Sequence, residues 1–215
     1  MKMIGVMAHT SAGKGTFGGI VRGKYGFQEV SLADPMKRFC MEVLGFPEEY
    51  LWGPSEMREL PHPRGLKRVD GEPLTARYAL QTLGTEWGRN CHNDVWVDYL
   101  IDILGKIYHN GFYRPERGIV KGAYMDRPQG IVIPDVRFSN EILKLQALEC
   151  KVVKIVREGK TGEGHTGVPG HESESGQDSI PDSMLDAIIY AKEGVENYTP
   201  QVLEFLSEHP KWVEE

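Results

Sequence analysis

Gly13-Lys14-Gly15-Thr16 stands between an apolar run of strand length, residues 2–7, and a segment of helical spacing, residues 14–25. A glycine turn in that setting wraps its backbone N–H groups around a phosphate. The helix start behind it adds about half a positive charge. Lys14 would bridge the β- and γ-phosphates of a bound nucleotide, and residues 11–16 (Ser11, Ala12, Gly13, Lys14, Gly15, Thr16) would hold the polyphosphate. The usual spacing has a glycine where Ala8 stands and a hydroxyl where Gly15 stands. A magnesium ion here would therefore be held mainly by water, nucleotide oxygens and a carboxylate. A chance Gly-Lys-Gly-Thr turn in a glycine-rich chain is the competing reading.

The carboxylate expected is Asp135, which ends the apolar run 131–133 and would reach the metal through water. Arg137, two residues on, has the planar geometry that suits phosphate oxygens; the alternative is a structural ion pair between the two. Arg157 ends a later strand and would reach the transferring group, or else is a solvated strand-end charge. Arg77 opens a predicted helix and would grip a second phosphate, or lie idle on its surface. Trp96 would stack on a base or be core. No serine or cysteine shows a nucleophile motif, and Cys40, Cys91 and Cys150 lack the paired spacing of a zinc site.

The elements that must position these groups alternate between strand and helix. Strands are expected at 28–32, 131–133, 151–156 and 187–190 after the first. Helices are expected at 35–44 with Asp34 as cap, 75–87, 95–108, 139–148 and from Thr199-Pro200 to about 207. That order predicts a doubly wound parallel sheet with its ligand at the carboxyl ends of the strands. Residues 50–73, bearing Arg58, Arg64, Lys67 and Arg68, form a polar excursion, and 110–130 a polar connection that suits a hairpin. Residues 159–176 hold six glycines and almost nothing apolar, which predicts a mobile lid or a floppy loop.

Composition excludes some partners. With 31 acidic and 25 basic side chains the net charge is −6, so no global positive field attracts a nucleic acid or a membrane surface. No run approaches the ~18 apolar residues of a membrane span, and three widely spaced cysteines argue against a disulfide framework. A soluble cytoplasmic protein is expected, with 215 residues forming one domain: a core of 1–34 and 131–215 and a helical region of 35–130.

Taken in order, several blocks resemble the phage-type deoxynucleoside monophosphate kinases, a branch of the P-loop nucleoside monophosphate kinases. They are the loop 8–16, Leu32-Ala33-Asp34-Pro35-Met36-Lys37, residues 77–86 with Trp96 downstream, Ile133-Pro134-Asp135-Val136-Arg137 with Asn140-Glu141, residues 153–157, and His171-Glu172-Ser173-Glu174. The resemblance implies a three-layer α/β/α P-loop fold with a mainly parallel five-stranded sheet, and transfer of the γ-phosphoryl group of ATP or dATP to a deoxynucleoside 5′-monophosphate with Mg2+. In a phage-encoded protein the setting would be the host cytoplasm. By position it makes Ser11 to Thr16 the donor site, and Thr10, Lys37, Arg77, Gly84, Thr85, Trp96, Asp135, Arg137 and Glu141 the acceptor site. Lys14, Asp135, Arg137 and Arg157 would serve catalysis. Base preference, and monomer against homodimer, stay open. So do a P-loop kinase for another small acceptor and a regulatory module that binds ATP without transferring phosphate.

Overall fold

A computed structural model describes residues 1–9, 11–110, 113–120, 128–157, 171 and 176–214. The chain opens with β1 (Lys2–Ala8), α1 (Lys14–Tyr25) and β2 (Phe27–Glu29), then α2 (Asp34–Phe39) and a π-helical turn, Cys40–Leu44. Short pieces follow: α3 (Glu48–Trp52), a 3-10 turn at Ser55–Glu59, α4 (Ala76–Gln81) running into a second π-helical stretch at Thr82–Arg89, and α5 (Val95–Asn110). A two-residue ribbon, β3 (Tyr113–Arg114) with β4 (Gly118–Ile119), leads to β5 (Gly130–Ile133), α6 (Ser139–Gln146) and β6 (Lys151–Val156). After two 3-10 turns come β7 (Ala187–Tyr190), α7 (Val195–Glu208) and α8 (Pro210–Val213).

Five strands form one sheet in the order β2-β5-β1-β6-β7, every neighbouring pair parallel. Its central strands are mostly apolar because both faces are covered; β6 keeps Lys151 and Lys154 half-buried. Met7, Ile131, Ile133 and Val152 meet Leu100, Ile103 and Ile107 of α5 and Ile142 and Leu145 of α6. On the other face Ile4, Val6, Val132 and Val153 meet Phe17 and Val21 of α1 and Tyr198, Val202 and Leu206 of α7. Alternate residues thus serve opposite layers. A third, smaller cluster of Cys40, Phe46, Leu51, Ala76 and Ala79 organises the insert between β2 and α5.

Three local expectations are corrected. Asp34 does not cap α2: it is the first helical residue, and Ala33 precedes it with no side-chain cap. Its buried carboxylate instead accepts from the Ser31 amide (3.1 Å), the Trp52 indole (3.0 Å) and the Tyr113 hydroxyl (2.9 Å). The strand expected at 28–32 stops at Glu29, because the amides of residues 31–33 turn to carboxylates rather than to a ladder. The last helix starts at Val195, not at Pro200. Gly194, at φ 82°, turns the chain there, and Pro200 costs only the one bond to the carbonyl of Glu196. No described helix is long and apolar enough to cross a membrane.

Candidate active site

One cavity of about 530 Å³ opens at the carboxyl ends of the strands. Seven cationic side chains and three carboxylates line it, the reverse of the chain's net charge of −6. The field inside favours anions.

At one end lies the loop after β1. Ser11 (φ 63°) and Gly13 (φ 110°) both sit in the left-handed region, which turns the chain sharply and lets α1 begin at Lys14. A Cβ on Gly13 would lie 2.8 Å from Tyr198 Cε1, so backbone conformation and the buried phenol both demand glycine. Ser11, Gly13, Lys14, Gly15 and Thr16 line the cavity, whereas Ala12 is buried in the core and offers the loop only its backbone. Thr10 lies outside the described residues. So does the stretch expected as a lid, apart from His171 and Gly176. His171 is buried against Glu86, 3.0 Å from its carboxylate.

Asp135 sits at the middle of the cavity, where β5 ends. It makes no ion pair with Arg137; it accepts from the Ser31 hydroxyl and from the amides of Leu32 (2.9 Å) and Ala33 (3.0 Å). The carboxylate therefore pins the segment leading into α2. A carboxylate has about four acceptor positions, and contacts among the described residues use three of them. Arg137 lines the cavity beside it. Its backbone amide (2.8 Å) and that of Phe138 (3.1 Å) donate to Glu141 Oε2. Glu141 is thus a buried clamp on the Arg137 loop, and burial pushes its carboxyl up to about 7. Glu29, at the end of β2, also faces the cavity, its carboxyl raised first by burial.

The far end is built from the insert. Lys37 Nζ lies 3.6 Å from Asp34 and over the Trp52 ring. Arg77, buried in the first turn of α4, donates to Glu59 (2.5 Å) and to Ser55 Oγ (3.1 Å). Trp96 donates to the Gly84 carbonyl (2.7 Å) and packs on Gly88 while one side lines the cavity. Gly84 and Thr85 line the same wall, where a Cβ on Gly84 would come 3.0 Å from Met36 Sδ. At the opposite corner Arg157 reaches the Lys192 carbonyl (3.4 Å) and stands over the Tyr198 ring.

Sequence reasoning did not assign Arg58 or Arg89, and both face the cavity. Arg58 is fixed by the carbonyls of Leu51 (3.2 Å) and Gly53 (3.4 Å). Its pKa is lowered, by burial first and then by the charges of Arg77 and Arg137. The charges of Arg77 and Arg137 oppose that of Arg58 and are partly offset by Asp135 and Glu59, so a bound anion would be favoured beside Arg58. The excess of arginine in residues 50–73 was the available signal. Its other members serve structure: Arg64 binds the Leu44 carbonyl (2.6 Å), and Arg68 pairs with Asp70 and lies 4.0 Å over Tyr78. Outside the cavity His92, Asp94 and Asp98 cluster on the surface, but Lys144 bridges both aspartates at 2.9 and 2.5 Å, so that cluster already has its cation.

No family model matches the chain. It is similar to a protein of Acanthamoeba polyphaga mimivirus named "Putative deoxynucleotide monophosphate kinase", with 29% identity over 204 residues that cover 94% of this chain and 95% of that protein.

Proposed function

We propose that this protein is a P-loop nucleotide kinase that transfers the γ-phosphoryl group of ATP, or dATP, to the 5′-phosphate of a deoxynucleoside monophosphate. One observation carries the reading. A phosphate loop and a separate guanidinium cluster, Arg58, Arg77 and Arg137, line a single cavity, as two phosphorylated reactants meeting head to head require. A protein that only sensed ATP would have no use for the second cluster. The name of the mimivirus relative points the same way.

In this reading the loop amides and Lys14 hold the β- and γ-phosphates, while Arg58 and Arg77 hold the acceptor phosphate. An acceptor phosphate oxygen attacks the γ-phosphorus, the bond to the bridging oxygen of ADP breaks, and ADP leaves with that electron pair. The attacking oxygen is already anionic, so no general base is needed. Catalysis then rests on position and charge, with Arg137 and Arg157 facing the transferring group. Asp135 keeps the acceptor wall in place through residues 31–33. The donor set also fits magnesium bound largely through water: Gly15 supplies no hydroxyl, whereas Thr16 and Asp135 line the cavity. When bound, the ion would supply positive charge to the donor phosphates.

A coupled assay of ADP release tests this, run with ATP and Mg2+ against dAMP, dGMP, dCMP, dTMP and non-nucleotide acceptors. Transfer to at least one deoxynucleotide is expected. Transfer only to a non-nucleotide, or ATP binding with no transfer at all, would refute it.

A further inference from the structure

Tyr198, on α7, is fully buried, and its ring packs beneath the phosphate loop, where a Cβ on Gly13 would lie 2.8 Å from Cε1. Among the described residues its hydroxyl has no hydrogen-bond partner. A phenylalanine would fill the same space without leaving a buried polar atom unsatisfied, so the oxygen calls for an explanation. Arg157 stands beside it, its guanidinium carbon 5.9 Å from the ring centre. Burial pushes the hydroxyl's pKa up against the pull of the Arg157 charge, which keeps it a neutral O–H able to accept. The Nε of Arg157 is likewise buried and donates to nothing among the described residues. The guanidinium is held instead through Nη2, which reaches the Lys192 carbonyl at 3.4 Å, near the outer limit of a hydrogen bond.

We propose that Tyr198 is a positioning residue for phosphoryl transfer: its hydroxyl accepts the Nε–H of Arg157 when the donor nucleotide binds, and so aims the guanidinium at the transferring group. The inference rests on the kinase reading above. Donor and acceptor match, since a guanidinium only donates and a phenol oxygen accepts. The exchange also frees the tip of the fork. Held through Nη2, the side chain uses one of its two terminal groups on a backbone carbonyl; held through Nε, it turns both Nη groups to phosphoryl oxygens in the cavity it lines. Little is lost, because the bond given up is long and the bond gained satisfies two buried atoms at once. The same ring lies against Gly13, so the anchor of the arginine is built against the loop that holds the donor phosphates.

Tyr198→Phe tests this, since it keeps the ring against Gly13 and removes only the hydroxyl. With ATP, Mg2+ and a deoxynucleotide that the wild type phosphorylates, kcat should fall about tenfold while the Michaelis constant for ATP stays within about twofold. The unfolding temperature should hold or rise, because a hydroxyl without a partner adds nothing to the resting fold. The second arm is the same substitution in an Arg157→Ala background, where it should lower kcat by no more than about twofold, since the hydroxyl acts through the arginine. Wild-type kcat in Tyr198→Phe overturns the inference alone, as does a loss carried only by the Michaelis constant, or a tenfold loss of kcat that persists without Arg157. Absence of transfer to every deoxynucleotide by the wild type overturns the kinase reading and this inference with it.

Discussion

The two ends of the cavity are made in different ways. The loop end comes from six consecutive residues and acts through backbone: two left-handed turns at Ser11 and Gly13, a helix start, and one lysine. The guanidinium end is assembled from the 3-10 turn at 55–59, α4, the stretch after β5 and the π-helical run that ends at Arg89, all acting through side chains. A backbone site is largely indifferent to what its ligand carries beyond phosphate, because every N–H donates alike. A side-chain site can read shape and polarity. The loop end therefore suits a reactant shared by many enzymes, and the other end suits the reactant that distinguishes this one.

The largest expected effect falls on the loop end. Lys14→Ala should lower turnover by about a thousandfold, or about 4 kcal/mol of transition-state stabilisation, with little change in unfolding temperature because the side chain is only half-buried. Deoxynucleotide-dependent ADP release and a thermal melt measure the two. Normal activity in this variant would remove the loop from the chemistry and with it the contrast between the ends.

That contrast also explains what could be read in the sequence. Gly13, Lys14 and Thr16 are legible because their signal is local: a glycine turn between a strand and a helix dictates where their N–H groups point. Asp135 is legible for the same reason, as a carboxylate ending a fully apolar strand. Its actual partners are not, since residues 31–33 lie about a hundred positions away and reach it only through the pairing of β2 with β5. Arg58 was obscure because it sits in a 3-10 turn without a regular hydrophobic period, and Arg89 because it lies just past the expected end of the helix at 87. Asp34 looked like a cap beside Pro35, and tertiary donors from Trp52 and Tyr113 claimed it instead. The sheet was readable almost strand by strand because burial leaves short runs rich in apolar residues, whereas the start of α7 was set by Gly194 rather than by the more conspicuous proline.

A middle-sized effect sharpens the part played by Glu141. Its carboxyl titrates at about 7 in the folded protein against 4.5 as the ordinary value, with burial the main cause, opposed by the Arg137 and Phe138 amides and by the Arg89 charge, and reinforced by Asp135. A raised carboxyl pKa means the folded state holds the proton more tightly than the unfolded chain. Between pH 4.5 and 7 the unfolded chain has lost its proton and the folded protein has kept it, so stability falls as pH rises through that window. The loss is about 3 kcal/mol by pH 8. Glu141→Gln keeps an acceptor for the two amides and removes the titration. Urea unfolding at pH 5 and pH 8 should show wild type losing about 3 kcal/mol relative to the variant. A constant difference would mean the clamp stays ionised throughout.

The smallest effect decides whether the two ends are independent. Arg77→Ala should raise the Michaelis constant for the acceptor by about 10- to 30-fold, the worth of one charge-assisted contact of about 2 kcal/mol, while that for ATP stays within about twofold. Arg77 also orders its surroundings, since Glu59 and Ser55 both accept from it and Ser55 Oγ accepts from Arg58 as well. Truncation therefore loosens the turn that carries a second guanidinium, and Arg77→Lys separates the two losses. Lysine restores a charge without the fork that holds Glu59 and Ser55 together, so partial recovery of acceptor affinity would assign the remainder to geometry. If instead both Michaelis constants rise equally in Arg77→Ala, the cavity behaves as one electrostatic body, and the division into a backbone end and a side-chain end fails.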